Sequence, residues 1–155
     1  MSKLISISVK QDDFNLPTPE VIQEQNLAIY DLTQNNFFQL IGFESNDETK
    51  LNISLSGNSL VFEVSSKTDE ILKTFYLSLT PLRQIINDYF TICESYFNAV
   101  KSLPIDKIES IDMGRKGIHN EGARVIMERL EGRIKIDLKT SRRIFTLIYA
   151  LTYER

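Results

Sequence analysis

Apolar and polar residues alternate from Ser2 to Lys10, with β-branched side chains among the apolar ones; this two-residue period predicts a strand. A loop is expected from Asp12 to Pro19. Thr18 and Pro19 mark a helix start, since a threonine side chain can satisfy an orphan N–H and proline suits the first helical position. Val21, Ile22, Gln25, Ala28, Ile29 and Leu32 give that helix one apolar face, ending near Asn35-Asn36. A polar loop covers Glu44 to Lys50. Leu51 to Leu55, Ser59 to Val64 and Ile71 to Leu79 then read as three strands. Gly57-Asn58 between the first two supplies the positive φ angles of a tight hairpin turn. Together with the first strand they predict an antiparallel sheet of about four or five strands with one solvated face.

Thr80-Pro81 starts a long helix by the same cap logic. Leu82, Ile85, Ile86, Tyr89, Cys93, Tyr96 and Val100 fall at helical spacing. Phe90, Ile92 and Phe97 widen the apolar face, which places this helix at the centre of the fold. Pro104 begins a short helix carrying Ile105, Ile108 and Ile111, which the glycine-rich segment after it is expected to break. A helix from Ile118 to Leu130 ends at Gly132, and Arg133 to Asp137 is a short strand that can join the sheet. Thr140 or Ser141 caps a last helix carrying Ile144, Phe145, Leu147, Ile148 and Leu151. Strands first and helices after define an α+β chain, read as one domain over residues 1–155.

Composition narrows the picture further. A chain of 155 residues can bury a core without staples. Cys93 is the sole cysteine, so no internal disulfide forms, which fits a reducing cytoplasm. No apolar run approaches the ~18 residues of a membrane span, and the N-terminus lacks the long apolar region of a signal peptide. A soluble cytoplasmic protein without membrane association is expected. The net charge of −3 hides an asymmetry. Residues 1–100 carry 6 cations and 13 anions, whereas residues 101–155 carry 12 cations and 8 anions. A basic last third can steer an anionic partner, or the two parts can simply attract each other.

The stretch from Asp112 to Gly122 concentrates the candidate chemistry: three glycines, Arg115, Lys116, Asp112, Glu121 and the only histidine, His119. Cations recur at the expected helix starts: Arg83, then Arg115 with Lys116, then Arg142 with Arg143. A cation there opposes the helix dipole by roughly 0.3–1 kcal/mol, so an anion held by these groups would explain the placement. The plainer reading, which we prefer, pairs each arginine with a carboxylate such as Asp112, Glu121 or Asp137. Gly114-Arg115-Lys116-Gly117 resembles the basic turn with which K-homology modules clamp a nucleotide backbone, with Gly132 to Ile136 as the closing strand. A purely structural turn is preferred. His119 is the one imidazole for acid–base work, with Asp112 and Glu121 near it in sequence, but no activated nucleophile accompanies it. Cys93, amid apolar helix positions, reads as an inert buried thiol. Asp88 and Glu94 fall on different sides of their helix, and no metal-ligand spacing is present.

Three stretches carry a resemblance: Leu77 to Arg83 running on to Tyr96, Ile111 to Gly122, and Arg142 to Leu147. They are similar to an uncharacterised bacterial family, number 0262 among families of unknown function. The resemblance implies no activity, cofactor or catalytic residue. The function expected from the residues is therefore non-enzymatic, through a protein partner or self-association, with no cofactor and no metal. One alternative is nucleic-acid or phosphate-ligand binding through the glycine turn and the basic helix starts. The other is an enzyme using His119 with Glu121 or Asp112.

Overall fold

The computed structural model describes residues 2–10 and 17–153, so most of the loop expected from Asp12 lies outside the described residues. β1 (Lys3–Val9), β3 (Glu48–Ser56), β4 (Ser59–Ser66) and β5 (Ile71–Ser78) form one sheet in the order β1-β3-β4-β5. β3, β4 and β5 are an antiparallel meander, as their close spacing predicts. β1 runs parallel to β3, so the sheet is mixed rather than wholly antiparallel. The reason lies in the connection. α1 (Pro19–Gln34) and β2 (Phe38–Leu40) form a crossover long enough to bring the chain back in its starting direction. The short strand expected near residue 134 is β6 (Ile134–Ile136). It pairs with β2 in a separate two-stranded sheet instead of joining the larger one.

Local signals account for most boundaries. Thr18 caps α1 by accepting from Val21 N–H. The β3–β4 turn has a positive φ at Gly57 alone; Asn58 keeps a negative one, which matches a two-residue turn of type II′. α2 (Thr80–Ser102) departs from expectation at its start, because Leu79 is the capping residue and makes no side-chain cap bond. The Thr80 hydroxyl instead accepts from the Asn58 side chain at 3.0 Å.

The largest correction concerns the glycines. α3 runs unbroken from Ile105 to Leu130, through Gly114 and Gly117. The predicted turn does not exist, and neither glycine has a positive φ. Glycine weakens a helix interior by roughly 0.5–1 kcal/mol, but it also lets a neighbour approach. A β-carbon on Gly122 would overlap the Phe145 ring, and one on Gly114 would come within 2.9 Å of Ile92 Cδ1. Two of the three glycines therefore serve packing between helices.

α4 (Leu138–Leu151) is capped by Asp137, whose carboxylate accepts from Thr140 N–H at 2.9 Å. Thr140 and Ser141, expected as caps, are buried pins between elements. Thr140 Oγ1 accepts from Phe37 N–H at 3.0 Å, and Ser141 Oγ donates to the Ala123 carbonyl at 2.6 Å. α4 packs against both α1 and α3 and has the longest run of buried residues, including Ile144, Phe145, Leu147 and Ile148. It is the central helix. α2, expected in that place, leaves Phe97 and Val100 exposed. The core is continuous from Leu4 and Ile53 in the sheet to Phe145 in α4. No helix among the described residues is long and apolar enough to cross a membrane.

Candidate functional site

Helical periodicity assembles the site. On α3, Asp112, Arg115, Lys116 and His119 are three or four residues apart and share one face. On α4, Arg142 and Thr146 are one turn apart, with Arg143 beside them. α1 closes the third side with Glu24, Leu27, Ala28 and Asp31, and Tyr89 of α2 lies at the back. All of these but Asp112 line a pocket of about 330 Å³.

Four of the five cations singled out in the sequence meet here: Arg115, Lys116, Arg142 and Arg143. None of them acts from a helix start. Arg115 and Lys116 are inside the continuous α3, and Arg142 and Arg143 fall in the second turn of α4. Arg83 lies elsewhere and binds the Asn58 side chain at the β3–β4 turn. Glu121 is exposed on α3 and does not line the pocket.

Asp112 organises one wall. Arg115 Nη2 reaches its Oδ1 at 2.6 Å and Lys116 Nζ its Oδ2 at 3.2 Å. The Arg115 hydrogen bond, helped by Lys116, holds the Asp112 carboxyl below its usual range. The Arg115 guanidinium also lies 4.8 Å from the centre of the Tyr96 ring, a cation–π contact that fixes its plane.

His119 organises the other wall. Arg142 Nε donates to its Nδ1 at 3.4 Å, and its Nε2 lies 2.9 Å from Thr146 Oγ1. An arginine Nε can only donate, so Nδ1 is the acceptor and Nε2 carries the proton. Thr146 accepts that proton and donates its own to the Arg142 carbonyl at 3.3 Å, closing a ring of hydrogen bonds. Burial, then the charges of Arg142 and Arg115, push the His119 pKa down to about 4. The imidazole is neutral near pH 7 and packs edge-on against Phe145 and tilted against Tyr89.

Arg143 is less well matched. Its Nε approaches Asp31 only to 3.8 Å, and its buried Nη1 has no hydrogen-bond partner among the described residues. Behind the pocket, burial pushes the Cys93 thiol up to about 11 and also raises the Tyr89 pKa. The thiol is buried, as its apolar helix positions in the sequence imply. Glu24 escaped the sequence reading. Burial raises its pKa, Arg115 opposes that rise, and the carboxylate makes no hydrogen bond or ion pair among the described residues. No cluster of three or more metal-ligating side chains occurs among them either.

Fold and site define an α+β protein with a basic pocket walled by three helices. The profile of the Uncharacterised protein family (UPF0262) matches residues 1–154, and the chain belongs to that family. It is similar to a UPF0262 protein of Ruegeria pomeroyi, 46% identical over 99% of this chain and 98% of the relative. A UPF0262 protein of Dinoroseobacter shibae is 47% identical, covering 99% of each chain. No solved structure matches.

Proposed function

We propose that the pocket binds a small molecule bearing a phosphate or carboxylate group, as a binding rather than a catalytic site. The convergence of Arg115, Lys116, Arg142 and Arg143 on one pocket carries this reading. The buried Arg143 Nη1 adds to it, since a buried donor without a partner costs about 1–3 kcal/mol and an anion would satisfy it. A pocket of about 330 Å³ suits a small ligand better than a nucleic-acid backbone. With the glycine turn replaced by helix, the backbone clamp loses its basis. Binding is favoured over catalysis because both His119 nitrogens are engaged and a pKa pushed down to about 4 leaves the imidazole a weak base. A reduced Cys93 is in keeping with a cytoplasmic setting.

Calorimetric titration with inorganic phosphate and with a simple carboxylate at low salt tests the proposal. Millimolar or tighter binding is expected, weakening with salt. It should fall at least tenfold in Arg142→Gln/Arg143→Gln and persist in Arg83→Gln. Absence of binding, or equal loss in Arg83→Gln, overturns it.

A second reading is docking of a protein partner or self-association where α2 hands over to α3. Val100, Leu103 and Ile105 are exposed there, Ile105 by 74%. Light scattering of the wild type and of Ile105→Lys checks it: a concentration-dependent oligomer abolished by the charge supports docking, and a monomer in both removes self-association.

A further inference from the structure

The two walls of the pocket are opposite in kind. α3 and α4 supply four cations, while α1 supplies Glu24 and Asp31. These carboxylates are seven residues apart, close to two full helical turns, so they share one face of α1. Neither is well used within the protein. Glu24 makes no hydrogen bond or ion pair among the described residues, although Arg115 is near enough to act on it through space. Asp31 has only the loose 3.8 Å approach from Arg143 Nε. The Nη1 of that same arginine is buried without a hydrogen-bond partner among the described residues.

A pocket shaped for an anion alone would not place an unmatched carboxylate in its wall, because like charges repel and the carboxylate would weaken the ligand it faces. Arg143 meets Asp31 only loosely, at 3.8 Å, and Glu24 makes no hydrogen bond or ion pair among the described residues, so both walls keep unused bonding capacity. A ligand that reaches both would complete both. Leu27, Ala28 and the Tyr89 ring lie on the same lining and offer apolar surface to a short carbon chain.

Building on the anion-binding reading, we infer that the ligand is a small zwitterion: a phosphate or carboxylate held by Arg142 and Arg143, joined by a short carbon chain to an ammonium group held by Glu24 and Asp31. Matched pairs of probes separate this from anion binding as such. Phosphoethanolamine and ethyl phosphate differ in the ammonium group on one side, and 4-aminobutyrate and butyrate do so on the other. Each is titrated by calorimetry into the wild type, Glu24→Gln and Asp31→Asn at low salt and neutral pH, with folding checked by thermal melts. Both replacements keep side-chain volume, and either suffices for the test.

In the wild type the ammonium-bearing member of at least one pair should bind tenfold or more tightly than its partner. That advantage should shrink to threefold or less in Glu24→Gln or Asp31→Asn, while the partner without nitrogen binds as well or better. The pair that shows the effect identifies phosphate or carboxylate as the anion. Equal binding within both pairs in the wild type, or an advantage that survives both replacements, overturns the zwitterion and leaves the anion site standing. Failure of all four probes overturns both.

Discussion

His119 holds Arg142 through its Nδ1, so the imidazole serves as a fixed acceptor for a guanidinium that lines the same pocket. The arginine keeps its terminal nitrogens for a ligand while its Nε is fixed by the imidazole. This couples the histidine to anion binding through Arg142.

His119→Phe should therefore preserve the aromatic packing yet loosen Arg142. We expect phosphate affinity to fall about five- to tenfold, the effect of one hydrogen bond worth about 1 kcal/mol. Affinity should stay flat with pH between 6 and 8 once phosphate's own titration is subtracted. A histidine bearing charge at the site would instead impose a step near its usual pKa.

The same histidine makes stability depend on pH. Its folded-state pKa is depressed to about 4, so between that value and about 6.5 the unfolded chain binds a proton that the folded chain does not. Stability contributed by the neutral ring is complete above pH 6.5 and is lost as pH falls toward 4. The loss is on the order of 2–3 kcal/mol. Urea unfolding at pH 7 and pH 4.5 should show a larger drop for the wild type than for His119→Gln.

Glycine replacements in α3 should act with opposite signs. Gly122→Ala pushes a β-carbon into the buried Phe145 ring and should destabilise by about 1–3 kcal/mol. Gly117→Ala meets open space inside a helix and should stabilise by about 0.5–1 kcal/mol. Chemical denaturation of both variants checks the pair. A destabilised Gly117→Ala would mean that α3 breaks there.

Cys93 should resist modification. Its thiol is 3% exposed and its pKa is pushed up to about 11, so a neutral aromatic disulfide reagent should react at least a hundredfold more slowly with the native protein than in denaturant.

Much of this was legible in the sequence, and the rest failed for identifiable reasons. The two-residue period over β3, β4 and β5 and the Thr18-Pro19 start were clear, because those features are decided locally. The direction of β1 was hidden, because strand pairing is settled by the crossover between β1 and β3 rather than by either strand's own residues. Gly114 and Gly117 read as a turn because glycine punctuates chains, yet Gly114 faces Ile92 and the neighbouring Gly122 faces Phe145, distant residues that no local window contains. Arg115, Lys116, Arg142 and Arg143 stood out as cations at helix starts, a position none of them has. Their convergence required α3 and α4 to pack. Glu24 and Asp31 looked like ordinary polar positions. The signal that could have found them is their seven-residue spacing beside the inward Ala28, which puts both at the edge of the apolar face of α1.

The central place of α4 also bears on how the protein is made. The chain reaches residue 138 only after α1, α3 and β3, the elements against which α4 packs, have already been synthesised. Until α4 emerges from the ribosome, the faces that α1, α3 and β3 turn toward it have no partner and stay within reach of water and of other chains. Assembly of this core is thus a late and cooperative event, with a window in which a chaperone that shields apolar surface would have most to do.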